Sequence, residues 1–158
     1  MNQYSMCNMI NELTNQVDLE NDQRWMNGGN GISVLPVMLN VTDGSWAIFI
    51  KAKANTAMAT HYHTKPLFIF TAYGHWYYPE HNWEARTGHF LYEVPGELHT
   101  PTFVENTLLY SVVTGPIIYP GKEGEKDKMT DVYTHINAVR QHYLDIGLGE
   151  DALRKITR

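Results

Sequence analysis

Residues 59–74 read ATHYHTKPLFIFTAYG and carry two histidines, His61 and His63, separated by a single residue. A second stretch, residues 88–100, reads GHFLYEVPGELHT and places His99 shortly after a Pro-Gly turn. Side chains alternate between the two faces of a strand, so His61 and His63 share one face. We therefore predict that the three imidazoles converge on one metal ion inside a small β-barrel.

The overall composition is that of one globular domain. The chain has 158 residues, of which 43% are hydrophobic and 18% are charged, enough for a single apolar core. The net charge of −5 and the lack of a basic run argue against nucleic acid or an anionic membrane as a partner. The first 16 residues have no basic and no apolar signal region, so we expect no secretory signal there, and the apolar runs are too short to predict a membrane span. Since the single cysteine, Cys7, allows no internal disulfide, we expect a cytoplasmic protein in which Cys7 is incidental.

From residue 32 the chain shows short apolar stretches separated by turn signals. The predicted strands are residues 32–40, 45–54, 58–63, 67–73, 88–94, 102–105 and 107–113, with two short strands in 75–86 and an edge strand near 117–120. No alternating strand–helix pattern is present, so we predict an all-β fold, a double-sheet jelly roll. We expect a homodimer or homotetramer, with strands 32–40 or 45–54 free to pair across a two-fold axis.

The chain divides into three predicted parts. Residues 1–31 form an N-terminal arm, residues 32–120 the barrel, and residues 121–158 a linker with C-terminal helices that pack on the barrel. An apolar stripe at helical spacing predicts the first of these helices, with Thr130 or Asp131 as its cap and Gly147 after its end. The stripe consists of Val132, Ile136, Val139 and Tyr143.

Neutral imidazole is a common metal ligand, and an HxH pair on one strand lets two rings lean onto one ion. The pair alone is more often a surface or filler pair than a metal site, and His99 strengthens the metal interpretation because it adds a third ligand from a neighbouring strand. Since His99 follows a turn, we expect it to lie outside the core. Three neutral ligands leave a divalent ion its full charge and open positions, yet they do not select among zinc, iron, copper and nickel.

The spacing His61-x-His63, then Gly74, Gly88, Pro95-Gly96 and His99, resembles the two motifs of the cupin superfamily. In the usual first motif a glutamate follows the second histidine by four or five positions, where this chain has Leu67 and Phe68. The missing glutamate indicates the branch of the superfamily in which three histidines bind the metal. From about Gly44 onward the chain resembles 2,4'-dihydroxyacetophenone dioxygenase and its relatives, through the segments DGSW, HxHT, GHWYY, YExPGExHT and HYLDIGLG.

This resemblance implies a cupin-type double-stranded β-helix with a short C-terminal helical segment. It also implies non-haem Fe(II) bound by His61, His63 and His99, with Zn(II) or another divalent transition metal as the alternative. The implied activity is a dioxygenase reaction that uses O2 to cleave a carbon–carbon bond beside the carbonyl of an aromatic hydroxyketone or related dicarbonyl. The products would be two carboxylic acids.

Two glutamates flank the Pro-Gly turn, and we predict catalytic roles for both. Glu93 or Glu97 can orient a ligand histidine through its free ring N–H, or act as a base for a substrate hydroxyl. Aromatic residues are predicted to line the substrate pocket, with barrel core as the alternative for each: Phe70, Trp76, Tyr78 and Tyr110, and also Phe68 and Tyr92. The remaining histidines near the motifs are predicted to be surface or structural: His75, His81 and His89.

Two other functions remain open. The chain also resembles the zinc-binding cupin domain of certain anti-sigma factors, which predicts tightly bound zinc and an attached sigma-binding module. We expect the first 31 residues to be too short for such a module. The second alternative is a barrel without catalysis that only binds a small ligand.

Overall fold

The structure, a computed structural model, describes residues 12–158, so Cys7 lies outside the described residues. This part of the chain folds into strands followed by two C-terminal helices. The strands are β1 (Met26–Gly29), β2 (Ile32–Asn40), β3 (Ser45–Ala52), β4 (Thr56–Ala57), β5 (Tyr62–His63), β6 (Leu67–Tyr73), β7 (His75–Tyr77), β8 (Glu84–Arg86), β9 (Phe90–Glu93), β10 (Thr102–Phe103), β11 (Thr107–Val113), β12 (Ile117–Tyr119) and β13 (Lys128–Thr130). The helices are α1 (Val132–Asp145) and α2 (Gly149–Ile156).

The strands form one large and two small sheets. The large sheet has the order β1-β2-β3-β11-β6-β9, and the smaller ones have the orders β4-β10-β7-β8 and β13-β12-β5. Side chains from all three sheets pack into one core, for example Ile48 from the large sheet, Trp76 and Phe103 from the second and Ile117 from the third. The predicted all-β jelly roll of the cupin type is thereby confirmed.

Alternation along β6 shows how the large sheet separates its two faces. Leu67, Ile69 and Thr71 are buried, whereas Phe68 and Phe70 between them are exposed. The inner residues have β-branched or leucine side chains that fill the barrel, and the outer aromatic residues remain on the opposite face. Only the inner face can therefore supply residues to a site inside the barrel.

The C-terminal helices cover one side of the barrel as predicted. The whole predicted stripe of α1 is buried and joins the core. Asp131 caps the helix through a capping box with Thr134, and Gly147 follows the C-cap with a φ of 78°. In the described part of the chain neither helix is long and apolar enough to cross a membrane.

Several element boundaries differ from the sequence predictions. Part of the predicted arm, β1, joins the large sheet, and β13 pairs with β12 inside the predicted linker. The predicted strand 58–63 is shorter in the structure, where only its end forms β5 and pairs with β12, and the strand that pairs with β10 is β4, just before residue 58. Strand β3 pairs along its length with β2 and β11, so it has no free edge for a second copy, whereas β1 covers β2 only at residues 32–34. Self-association itself stays a prediction.

Gly74 lies at the tight turn between β6 and β7, and we expect Gly74→Ala to lower the free energy of unfolding by about 3 kcal/mol or more. Its φ is +111°, and a Cβ atom there would lie 2.6 Å from Thr107 Cα and 2.7 Å from the Asn106 carbonyl oxygen. Gly88→Ala is the matched control, since its φ is +86° but a Cβ atom would have open space. The control should cost only about 1 kcal/mol. Chemical denaturation measures both changes, and equal costs would contradict the clash.

Candidate metal centre

Three histidines converge inside the barrel at the junction of the two small sheets. His63 belongs to β5, while His61 and His99 face each other in an antiparallel bridge in which each backbone N–H donates to the other's carbonyl at 3.0 Å. Only 4%, 3% and 0% of the surfaces of His61, His63 and His99 are exposed. The prediction that His99 lies outside the core is wrong, because this bridge draws the residue after the turn into the barrel. One ring nitrogen from each histidine lies within 4.8 Å of the others.

Backbone carbonyl groups define which ring nitrogens carry a proton. Nδ1 of His61 lies 2.7 Å from the Ala59 carbonyl oxygen, and Nδ1 of His99 lies 2.9 Å from that of Glu97. A carbonyl oxygen only accepts hydrogen bonds, so both Nδ1 atoms donate and both Nε2 atoms of the neutral rings present lone pairs. These Nε2 atoms are nevertheless 3.2 Å apart. Two acceptors at this distance require a positive charge beside them.

Glu93 adds a fourth electron-rich atom to the same point. Its Oε1 lies 3.5 Å from His63 Nε2 and 3.4 Å from His99 Nε2, and only 6% of the residue is exposed. Neither this oxygen nor the ring nitrogens of His63 have a hydrogen-bond partner among the described residues. The other carboxylate oxygen accepts a 2.7 Å hydrogen bond from the Tyr78 hydroxyl. Tyr78 also stacks on His99, with ring centroids 4.3 Å apart.

The donor set therefore fits a divalent transition metal. A cation site typically has nitrogen ligands with unshared lone pairs, a carboxylate nearby and no protons between these atoms. Burial keeps the rings neutral, because it lowers the pKa of His63 to about 3 and that of His99 to about 4. Burial also raises the pKa of the Glu93 carboxyl to about 7, against the opposing effect of the Tyr78 hydrogen bond. A cation at this point would favour the ionised carboxylate.

A cavity of about 810 Å³ extends from this cluster into the barrel. His61, His63 and Tyr78 line one end of it. The walls are mainly apolar residues on the inner face of the large sheet, among them Ile48, Ile50, Ile69, Leu109 and Val113. No lysine, arginine, aspartate or glutamate lines the cavity within the described range. Such a space suits a small, largely apolar molecule with one end at the histidines.

Only some of the predicted pocket residues line the cavity. Trp76 and Tyr78 line the cavity, and the indole N–H of Trp76 donates to the Thr71 hydroxyl at 2.9 Å. Phe70 and Tyr110 do not line it, because strand alternation turns both toward the outer face, where Phe70 is 45% exposed and Tyr110 packs against Phe49. We therefore leave Phe70 and Tyr110 out of the substrate pocket.

The two predicted catalytic glutamates also separate. Glu93 faces the histidines from the end of β9, whereas the Glu97 side chain is exposed and lies 3.9 Å from His81. Glu97 acts on the site only through its backbone carbonyl, which holds the His99 ring. The other histidines near the motifs lie outside the cluster: His75 contacts Glu84, His81 packs among aromatic rings, and His89 is exposed.

Sequence reasoning missed six polar or aromatic residues of the cavity. These are Asn30, Trp46, Ser111, Tyr119, Thr130 and His135. The Tyr119 ring lies against His61, with centroids 5.3 Å apart. Trp46 and Ser111 are at buried positions of β3 and β11. Because Tyr110 was predicted to point into the pocket, alternation had placed the neighbouring Ser111 on the outer face. His135 lies on α1, next to the apolar stripe, and nothing local indicated that this helix closes the cavity.

Residues 15–118 match the sequence family described as the ChrR cupin-like domain. No curated protein matches the chain. Among solved structures, a cupin protein of the RmlC-like type from Ralstonia eutropha JMP134 is 24% identical, with a TM-score of 0.72 over 78% of this chain and 83% of that one. An acetylacetone dioxygenase from Acinetobacter johnsonii is 18% identical, with a TM-score of 0.73 over 84% of this chain and 95% of that one.

A third structure shares less of the fold. The anti-sigma protein ChrR of Rhodobacter sphaeroides, solved in complex with SigE, is 15% identical, with a TM-score of 0.54 over 61% of this chain and 50% of that one. At these identities the likenesses establish the fold alone. The chemistry of this chain therefore depends on its own three-histidine cluster and cavity.

Proposed function

The chain belongs to the ChrR cupin-like domain family, and we propose that it is a metal-dependent dioxygenase with Fe(II) at His61, His63 and His99. The substrate class is an aromatic hydroxyketone or a related dicarbonyl. One observation carries the proposal: the Nε2 lone pairs of His61 and His99 converge with a ring nitrogen of His63 at the end of a largely apolar cavity. A site of this kind has room for a chelating molecule beside the metal.

The overall reaction balances without a further cofactor. An α-hydroxyketone of the form Ar-CO-CH2OH and one O2 give Ar-COOH and HCOOH, so both oxygen atoms enter the products and the bond between the two oxygenated carbons breaks. The metal, when bound, supplies Lewis acidity for the two substrate oxygens, and as Fe(II) it supplies reducing electrons to O2. The protein supplies the binding, the orientation and the proton transfer.

Glu93 is the residue that we assign to proton transfer. Its Oε1 lies 3.5 Å from His63 Nε2 and 3.4 Å from His99 Nε2 and has no hydrogen-bond donor among the described residues, so it can accept the proton of a substrate hydroxyl or enol held beside the histidines. Tyr78 is a positioning residue, because its hydroxyl holds the other oxygen of Glu93 while its ring supports His99. Oε1 of Glu93 is also close to Nε2 of His63 and to Nε2 of His99. The competing role for Glu93 is therefore that of a fourth metal ligand.

The cavity walls contribute by excluding water. Ile48, Ile69 and Leu109 form a wall without charged groups, so an aromatic ring placed there buries apolar surface while its polar end reaches the histidines. Burial in such a space also lowers the local dielectric constant and strengthens the interaction of an anionic substrate with the cation. Acetylacetone dioxygenase is among the proteins that share this fold, which supports the choice of a dicarbonyl or hydroxyketone.

The test is oxygen uptake by the protein after reconstitution with Fe(II) under anaerobic conditions. We expect uptake of about one O2 per substrate consumed with at least one member of a panel of α-hydroxyketones and β-diketones. An α-hydroxyketone should give two carboxylic acids, and a β-diketone should give one carboxylic acid and one 1,2-dicarbonyl compound. The Zn(II)-loaded protein is the matched control and should consume none, since zinc has no redox chemistry. Absence of uptake across the panel by protein with bound Fe(II) would contradict the dioxygenase.

The second candidate is a zinc-binding regulatory protein of the anti-sigma type. The family match to the ChrR cupin-like domain favours it, and the three histidines serve zinc as well as iron. This candidate predicts that zinc is retained during prolonged dialysis against a chelator while the Fe(II) form shows no oxygen uptake. Elemental analysis of protein purified from its native host distinguishes the two metals directly.

A further inference from the structure

A chain of side-chain hydrogen bonds joins the segments that carry two of the three histidines. The hydroxyl groups of Thr60 and Thr100 lie 2.8 Å apart, and Thr100 donates its hydroxyl proton to Oε1 of Glu80 at 2.7 Å. Because a hydroxyl group has a single proton to donate, Thr60 must be the donor to Thr100. The second carboxylate oxygen of Glu80 accepts the backbone N–H of Thr100 at 3.0 Å. The chain therefore runs in one direction and ends on the Glu80 carboxylate.

The two threonines are direct neighbours of metal ligands. Thr60 precedes His61 and Thr100 follows His99, and the antiparallel bridge between the two histidines places the threonines opposite each other. Neighbouring residues of an extended segment point to opposite sides. The histidine rings therefore lie buried inside the barrel, while the threonine hydroxyls link the same two segments from the outside.

The separation of the Nε2 atoms of His61 and His99 depends on how these two segments lie against each other. Each ring is held by a carbonyl group of its own segment, at Ala59 or Glu97, so each ring moves with its own backbone. The bridge between the two histidines is an isolated pair outside the named strands. A side-chain link between the segments therefore restricts the geometry that the two rings offer to a metal.

Glu80 lies in the connection between β7 and β8, which contacts the His99 segment from both sides. Tyr78, two residues before Glu80, stacks on the His99 ring inside the barrel. Glu80 holds the following residue, Thr100, from the outside and uses both carboxylate oxygens to do so. Two charge-assisted hydrogen bonds to one residue fix its position more firmly than a single bond would.

We propose that Glu80 is a positioning residue of the metal centre, which sets the placement of His99 relative to His61 through Thr100 and Thr60. Glu80 does not line the cavity, so it acts only through the backbone segments that carry the ligands. The inference deepens the proposed function and rests on one part of it, the binding of a metal by the three histidines. It depends neither on the reaction nor on which divalent metal is bound.

The test measures the Zn(II) dissociation constant of the full-length protein by competition with a chelator of known affinity. We expect Glu80→Ala to weaken Zn(II) binding about tenfold, the lower end of the loss caused by removing a residue that orients a ligand. Thr100→Val should weaken binding in the same direction, although this variant keeps the Glu80 charge. The double variant should bind Zn(II) about as weakly as Glu80→Ala alone, because both substitutions break the same chain.

Two further measurements separate positioning from a general effect on the fold. The visible absorption bands of the Co(II)-loaded protein report ligand geometry, and they should shift in Glu80→Ala and in Thr100→Val. The free energy of unfolding of the metal-free protein should stay close to that of wild type, since Glu80 is exposed.

Glu84→Ala is the matched control for these measurements. It removes an exposed carboxylate from the same β7–β8 hairpin, and the hydrogen-bond partners of that carboxylate, His75 and Arg86, lie outside the cluster. This variant should leave both the Zn(II) dissociation constant and the Co(II) spectrum unchanged.

Equal Zn(II) affinity in wild type and Glu80→Ala would overturn the inference, and so would an equal loss in Glu84→Ala. Full affinity in Thr100→Val beside a loss in Glu80→Ala would overturn it as well, because the carboxylate would then act through its charge. A loss of affinity matched by an equal destabilisation of the metal-free protein would show a structural role only. These results leave the dioxygenase proposal untouched, whereas wild-type protein that binds neither Zn(II) nor Fe(II) would overturn both.

Discussion

Replacement of His99 by alanine is expected to reduce the bound metal from about one ion per chain to nearly none. The variant removes one of three ligands, and loss of even a hydrogen-bonding partner of a ligand costs about ten- to a hundredfold in metal affinity. We therefore expect the affinity to fall by more than about a hundredfold. Elemental analysis after reconstitution with Fe(II) or Zn(II) measures the change.

The fold should survive this substitution even though His99 is fully buried. The bridge to His61 uses only backbone N–H and carbonyl groups, which alanine retains. Circular dichroism of His99→Ala should thus match that of the metal-free wild type. His89→Ala is the matched control, since His89 is exposed and outside the cluster, and it should keep its metal. A His99→Ala protein with full metal content would remove the basis for the site, and an unfolded one would show that the site is structural.

Replacement of Glu93 by glutamine is expected to lower kcat about a hundredfold or more, because a positioned general base contributes about 10²–10⁴ in rate. Glutamine keeps the shape of the side chain and can still interact with the Tyr78 hydroxyl, but it cannot take a proton from the substrate. Metal content should stay near one ion per chain. Loss of the metal together with activity would instead identify Glu93 as a fourth ligand.

Glu97→Gln provides the matched control for this variant. The Glu97 carboxylate is exposed, and only its backbone carbonyl contacts His99, so kcat and metal content should both remain within about twofold of wild type. Tyr78→Phe should give an intermediate loss of kcat with retained metal, since it frees the Glu93 carboxylate without removing it. Full activity in Glu93→Gln would contradict the assigned proton transfer.

Local pattern was enough to predict the core of this site. Alternation places His61 and His63 on one face, and the turn before His99 was readable from Pro95-Gly96. The stripe of α1 was predicted with its buried face correct, because it depends on periodicity within a single element. The bounds of β6 were also predicted correctly, but its inner face was not, since Phe68 and Phe70 are exposed. The choice of Glu93 over Glu97 could not be made from sequence, since it depends on which residue ends β9 facing inward.

Features that depend on contacts between distant elements were not predictable. Strand β5 is shorter than predicted because only residues 62 and 63 pair with β12, whereas β4, before the predicted strand, pairs with β10. Phe70 was assigned to the pocket by its aromatic character, whereas the inner face of β6 is set by its partners in the sheet. His135 became part of the cavity only because α1 packs across the barrel, which no periodicity within α1 reveals.

The hydrogen bonds that fix the rings of His61 and His99 have an evolutionary implication. Each ring is held by the main-chain oxygen of the residue two positions earlier, Ala59 or Glu97. Amino-acid substitutions at these two positions therefore leave the tautomer of both ligand histidines unchanged, since every amino acid provides a main-chain carbonyl oxygen. A comparison of homologues that searched for an invariant acidic residue behind each ligand would find none and would underestimate how tightly the rings are constrained.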